Sequence, residues 1–221
     1  LYLIYGIAEL IVALVMIKSL ERNPGVITSL NFIDVYKKSL NNKNLINVVS
    51  ILFFLGFSVF GSFMFSGKFI QDILNYNILF VGALLSLFGL ATAIGGRRAG
   101  TLKQMFGNNL LIYAGVLGGV SWGSMILWNT PFLISLSLIG FGFAFILLQS
   151  TIIQTAQQLM PKQRGTVMSL ASFNMFIGGG IGTLVNGKIL SLFGFVPIFM
   201  ISSMIIFVVG LIISSYLKNT K

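Results

Sequence analysis

One carboxylate stands inside an apolar run. Glu9 lies within LIYGIAELIVALVMI, residues 3–17, where an ionised side chain is costly unless it is protonated or paired. Such a group suits proton carriage or cation recognition; the competing role is a structural partner on a helix elsewhere. Tyr5, one turn earlier, can donate it a hydrogen bond. Two amides also sit in apolar surroundings. Asn174 and Gln149 need partners in a membrane, so each either lines a polar substrate cavity or bonds a neighbouring helix. Trp122 either packs or lines a cavity. Trp128 suits an interfacial anchor. Gln154, Gln157 and Gln158 read as solvated interface residues, and the 21 phenylalanines as packing or lipid-facing groups rather than a binding box.

The missing residue types narrow the chemistry further. The chain has no histidine and no cysteine, so zinc sites, Ser-His-Asp or Cys-His catalysis and disulfides lose their usual residues. Its four acids include no pair inside the membrane, with Asp72 in an outer loop. An enzyme is therefore disfavoured, and no metal or cofactor is expected.

Composition explains where these residues must sit. Of 221 residues, 56% are hydrophobic and 8% charged, against about 25% charged in a soluble domain. Seven apolar runs approach or reach the roughly 20 residues that cross a bilayer as a helix: about 1–17, 46–67, 76–96, 107–128, 132–154, 165–187 and 195–217. They are too long and too apolar all round for barrel strands. The expectation is an all-α membrane protein, a polytopic bundle of about seven transmembrane helices in the lipid bilayer. The chain starts at Leu1, apolar almost at once and without a signal-peptide pattern, and reads as a piece of a longer protein.

A net charge of +10 does not point to nucleic acid, because the basic residues lie in short gaps rather than one patch. Lys18, Arg22, Lys37, Lys38, Lys43, Arg97, Arg98, Lys103, Lys162, Arg164, Lys218 and Lys221 fall on one side of the span count; Lys68 and Lys188 fall on the other. By the positive-inside rule the first side is cytoplasmic, with the carboxyl-terminal tail 218–221. The long gap, 18–45, opens with a Pro24-Gly25 turn. Ile27, Leu30, Ile33, Asp34 and Lys37 then follow at helical spacing, with Thr28 or Ser29 as cap. That predicts an amphipathic helix on the membrane face, a linker between bundles, or both.

Glycine costs a helix in water about 1 kcal/mol relative to alanine, yet NMFIGGGIGTLVNG (174–187) carries a cluster of them. Gly178 and Gly182 share a face, and Gly115, Gly119 and Gly123 repeat the spacing. In lipid such small residues let backbones approach closely. A helix that bends or slides against its partner is the alternative reading.

Two gaps carry a resemblance. QQLMPKQRGTVMSLASFNMFIGGGIGTLVNGKIL resembles the segment joining the tenth and eleventh spans of major facilitator superfamily carriers, through Pro161, Arg164, Gly165, Ser169, Gly178, Gly182 and Gly187. AIGGRRAGTLKQMFG resembles that superfamily's cytoplasmic loop motif, with Arg98 and Gly100 as its Arg-x-Gly core. It departs at Arg97, where the amino-half motif usually has Asp. The resemblance implies the carboxyl-terminal half of a two-bundle carrier, the sixth to twelfth helices, closest to the multidrug and sugar-efflux branch. Residues 1–17 would then close the amino-terminal bundle, 18–45 would connect the bundles, and 46–217 would form the second bundle. Within it, 46–128 and 132–217 would be inverted repeats. The loops at 97–103 and 162–164 would lie at the cytoplasmic gate. The implied activity is proton-coupled efflux of a small organic solute by alternating access, with an amino-terminal half or another chain as partner. A seven-helix receptor without transport is the alternative, weakened by the long gap after the first span and by the two motifs.

Overall fold

The computed structural model describes residues 2–19, 32–127 and 129–219. Among them there is no strand, and eight α-helices form. They group into two compact units, Leu1–Phe32 and Ile33–Lys221. The first contains α1 (Tyr2–Ser19), where the first apolar run is expected. The second contains α2 (Phe32–Leu40) from Ile33 on, α3 (Lys43–Leu74), α4 (Ile78–Phe106), α5 (Asn109–Ser124), α6 (Pro131–Leu159), α7 (Arg164–Phe193) and α8 (Val196–Asn219). The last six, α5 with the 3₁₀ turn that follows it, are long and apolar enough to cross a membrane.

Local chemistry sets the helix ends. Asn42 caps α3, its side chain accepting from the Leu45 N–H at 3.1 Å. Asn75, at φ 55°, closes α3 in the left-handed region and donates its N–H to Gln71 O at 2.9 Å. Asn77 caps α4 through the Phe80 N–H at 2.9 Å, and Gly107, at φ 57°, ends it. Asn caps and positive-φ glycine are the expected stop signals. The joints between α3 and α8 are short, so the six helices alternate in direction.

One expectation needs correction. The span 76–96 does not end before a loop at 97–106: α4 continues through Arg97, Arg98 and Gly100 to Phe106. Nothing there breaks a helix before Gly107, and Gly95 is held against Phe143 and Ile146 of α6. The amphipathic helix of the long gap is α2, beginning at Phe32. The expected turn at Pro24-Gly25, the helical positions Ile27 and Leu30, and the cap at Thr28 or Ser29 lie outside the described residues, as does Trp128.

Three seams hold the six-helix bundle together, and backbone lies against backbone in each. Along α3 and α7, Gly178 sits against the Phe53 carbonyl and Gly56 against the Met175 backbone. A Cβ at Gly182 would fall 2.6 Å from Phe57 O. Both helices advance together, so they are parallel. Along α4 and α6, Gly142 meets Phe88 and Gly95 meets Ile146, also in parallel. Along α5 and α8 the order reverses. Gly115 faces Gly210 and Gly119 faces Ser203, and Ser203 Oγ donates to Gly119 O at 2.6 Å. Without a hydrophobic drive between helices in lipid, this close approach is what holds them.

The packing has an internal symmetry. The most extensive contacts are α3 with α7, α4 with α6, α5 with α8, α5 with α6, α3 with α8, and α3 with α6. Exchanging α3, α4, α5 for α6, α7, α8 returns the same set. The first three helices also run opposite to their counterparts. The second unit is thus two three-helix repeats of inverted topology.

A side chain at Gly182 would have to displace the α3 backbone. Gly182→Val is expected to lower the thermal midpoint of the detergent-solubilised protein by several degrees, since overpacking costs about 1–3 kcal/mol. Gly180→Ala, where nothing lies within 4 Å, is expected to leave it unchanged. Midpoints from a fluorescence melt check both.

Candidate functional site

One set of polar and aromatic groups of the second unit meets where α3, α6 and α7 pack. Gln149 of α6 is half-buried and donates Nε2–H to Met175 Sδ at 3.2 Å. Phe60 of α3 stacks on Phe176 of α7, centroids 5.8 Å apart and planes 10° apart. Phe60 also meets Phe145 of α6 edge-on at 5.7 Å. Phe176 is 65% exposed, Phe145 buried and Phe60 between them, so the stack grades from the core to the open face.

Asn174 is half-buried and donates Nδ2–H to Leu170 O of its own helix at 2.9 Å. Successive helical residues point about 100° apart, so Asn174, Met175 and Phe176 leave α7 in different directions. No hydrogen bond joins Gln149 to Asn174. The structure therefore links Gln149 to α7 through Met175, a connection the spacing of amides did not signal.

Trp122 corrects an expectation. It is fully buried, stacked on Phe141 at 3.9 Å and 10°, with Phe199 edge-on at 5.2 Å. Its Nε1–H donates to Ser62 Oγ at 2.7 Å, and Ser62 Oγ donates to Ser58 O at 2.5 Å. A buried indole with its donor satisfied is a core group, so Trp122 does not line an open cavity. Its tryptophan identity alone could not reveal this. The signal lay in Ser58, Ser62 and Ser66, a polar ladder spaced every four residues along α3.

Asn186, one turn beyond Gly182, is fully buried, and neither side-chain polar atom has a partner among the described residues. It belongs to the α7 stripe of Met175, Gly178 and Gly182, which lies on α3.

The motif residues collect at one end of the bundle. Arg97, Arg98 and Gly100 are exposed on the last turns of α4, and Arg164 and Gly165 are exposed on the first turn of α7. Pro161 opens the 3₁₀ turn before it. Gln154 and Gln158 are exposed and Gln157 half-buried near the end of α6. Glu9 belongs to the first unit, where its side chain is exposed on α1; the Tyr5 side chain lies outside the described residues.

Chemically, the α3–α6–α7 face offers rings and the Gln149 amide, with the Met175 thioether buried behind them. It suits an organic molecule with an apolar or aromatic body and few hydrogen-bonding groups. It holds no acid: on α3 to α8 the one carboxylate is Asp72, in the last turn of α3.

Six membrane-crossing helices packed as inverted repeats define a multi-pass membrane protein of the transporter class. Residues 1–183 match the family model described as the Major Facilitator Superfamily. The chain belongs to that superfamily and is a membrane transporter of its type. No curated protein matches it.

Trp122→Phe keeps the ring stack and removes the donor to Ser62. It is expected to lower stability by about 1 kcal/mol, and a double-mutant cycle with Ser62→Ala is expected to recover most of that as coupling. Asn186→Leu replaces an unpaired buried amide by an apolar group of similar size. It is expected to raise the thermal midpoint, as measured by the same melt.

Proposed function

We propose that the chain forms the carboxyl-terminal half of a secondary active transporter that exports a small organic solute in exchange for protons. The observation that carries this reading is the inverted-repeat packing of α3–α5 against α6–α8. In the superfamily's architecture such a six-helix bundle is one of two, and substrate lies between them near the midplane. In this reading α1 closes the amino-terminal bundle and residues 18–45 connect the two. The Phe60–Phe176 stack and Gln149 form this half's share of the substrate cavity, and Asn174, on another side of α7, joins it only where the other half packs there.

Charge distribution supports an orientation. At the end where α3, α5 and α7 begin lie Lys37, Lys38, Lys43, Arg97, Arg98, Lys103, Lys162, Arg164 and Lys218; towards the other end lie Lys68 and Lys188. The first end is then cytoplasmic and the protein sits in the cell membrane. Arg98 and Gly100, with Pro161, Arg164 and Gly165, stand at that gate.

Proton coupling rests on Glu9. The six-helix bundle holds no titratable acid in its apolar spans, while Glu9 stands within the apolar run of α1. In an apolar run a carboxylate is the side chain able to carry a proton, which is what an exchanger requires.

The test uses the whole protein in proteoliposomes with a fluorescent aromatic cation as substrate. An imposed pH gradient is expected to drive uptake, and a protonophore to abolish it. Glu9→Gln is expected to retain downhill flux while losing gradient-driven accumulation. Flux indifferent to the gradient would remove the coupling, and unchanged coupling in the variant would remove Glu9. Binding without flux would favour a receptor.

A further inference from the structure

The basic end of the bundle carries a groove with a distinct chemistry. It encloses about 480 Å³ between the end of α2, the start of α3 and the joint between α6 and α7. Lys38, Asn41 and Lys162 line its polar side; Leu159, Met160 and Pro161 line its apolar side. No acid lines it. Lys43 and Arg164 are exposed on the first turns of α3 and α7.

The groove is built rather than incidental. Ser39 of α2 is fully buried. Its Oγ–H donates to Val35 O at 2.9 Å, and it lies 3.3 Å from Gln163 Oε1 in the 3₁₀ turn. This contact fixes α2 against the joint before α7. A flank of α2 next to Ser39 presents Ile33 at 77% exposure, with Tyr36 and Leu40 also exposed. The spacing 33, 36, 40 puts these three on one stripe, bordered by exposed Lys37, while Lys38 lies across the helix on the groove side. A short helix with an exposed apolar stripe and a lysine at its border suits a membrane interface. The ends of the spans α3, α6 and α7 frame the groove, so it opens at headgroup depth.

We propose that this groove binds an anionic phospholipid. Lys38 and Lys162 neutralise the headgroup phosphate, Asn41 supplies a neutral hydrogen-bonding group, and the glycerol and first methylenes lie on Leu159 and Pro161. Ile33, Tyr36 and Leu40 enter the same leaflet and hold α2 over the lipid. A basic and apolar lining without acids matches this amphipathic anion better than a wholly soluble one. The contact would tie the segment entering α3 to the joint entering α7, two helices that share the glycine seam.

The test is lipid retention by the whole protein in native mass spectrometry, after equilibration with equimolar phosphatidylglycerol and phosphatidylcholine. Phosphatidylglycerol is expected to be retained selectively. A basic residue near an anionic surface contributes roughly fivefold in affinity, so Lys38→Gln with Lys162→Gln is expected to cut the preference by more than tenfold. Lys38→Arg with Lys162→Arg is expected to restore it. Lys68→Gln with Lys188→Gln, towards the other end, is expected to leave it unchanged. An undiminished preference in the first variant would overturn the proposal. So would equal displacement of the lipid by inorganic phosphate or by an acidic peptide, since either would mark a general anion or protein site.

Discussion

Everything in the six-helix bundle depends on how closely bare backbone can approach bare backbone. In water a helix pair gains by burying apolar side chains; in lipid it gains by contact and by satisfied polar groups. The chain meets this condition with glycine placed in register on the α3–α7, α4–α6 and α5–α8 seams. At Gly178 and Gly56 the carbonyl of the opposing helix occupies the space a Cβ would need. No other residue type allows those approaches. The glycines of NMFIGGGIGTLVNG are thus divided in role. Gly178, Gly179 and Gly182 face α3, whereas Gly180 has open space around it.

Polar groups follow the same economy of contact. Most hydroxyls inside the spans bond back to a carbonyl of their own helix, as Thr151 does to Leu147 and Thr183 to Gly179. A few reach across: Ser58 Oγ donates to Ser202 O at 2.6 Å, and Ser203 Oγ to Gly119 O. These cross-links lie on the α3–α8 and α5–α8 packings, where the Trp122–Ser62 bond also sits nearby. The bundle is therefore pinned by directional bonds around Trp122. The α3–α7 seam is instead closed by smooth glycine contact, with Asn186 unpaired at its far side. The two parts of the bundle are thus held differently, one by hydrogen bonds across helices and the other by glycine contact.

The spans were legible because bilayer thickness demands about 20 apolar residues whatever the fold. Their ends were not. α3 runs for 32 residues, roughly 48 Å at 1.5 Å per residue, because Lys68 and Asp72 are compatible with helix once the chain reaches the interface. Arg97 and Arg98 read as loop residues on charge alone, yet charge does not terminate a helix and Gly107 does. The glycine spacing at 115, 119, 178 and 182 marked the seams without naming the opposing helix. For that, the facing residues of the partner must be known. Trp122 went the other way: a large aromatic with a polar tip suits a cavity or a core, and only the Ser62 acceptor on another helix decides between them. Gln149 and Asn174 illustrate the same limit, since amides equivalent in sequence context found a thioether and a backbone carbonyl.

The distribution of acids bears on the division of labour between the two units. The interior of α3–α8 is sterically simple: rings, small residues and mostly bonded hydroxyls, with Asp72 confined to the last turn of α3. An ionisable group on a moving seam would carry a solvation cost that changes with every state. Glu9 lies on α1, in the other unit, and the glycine seams are free of that cost. Within α3–α8 the close contacts are thus made by groups that carry no charge, and the helix pairs can approach to backbone distance without burying an ion.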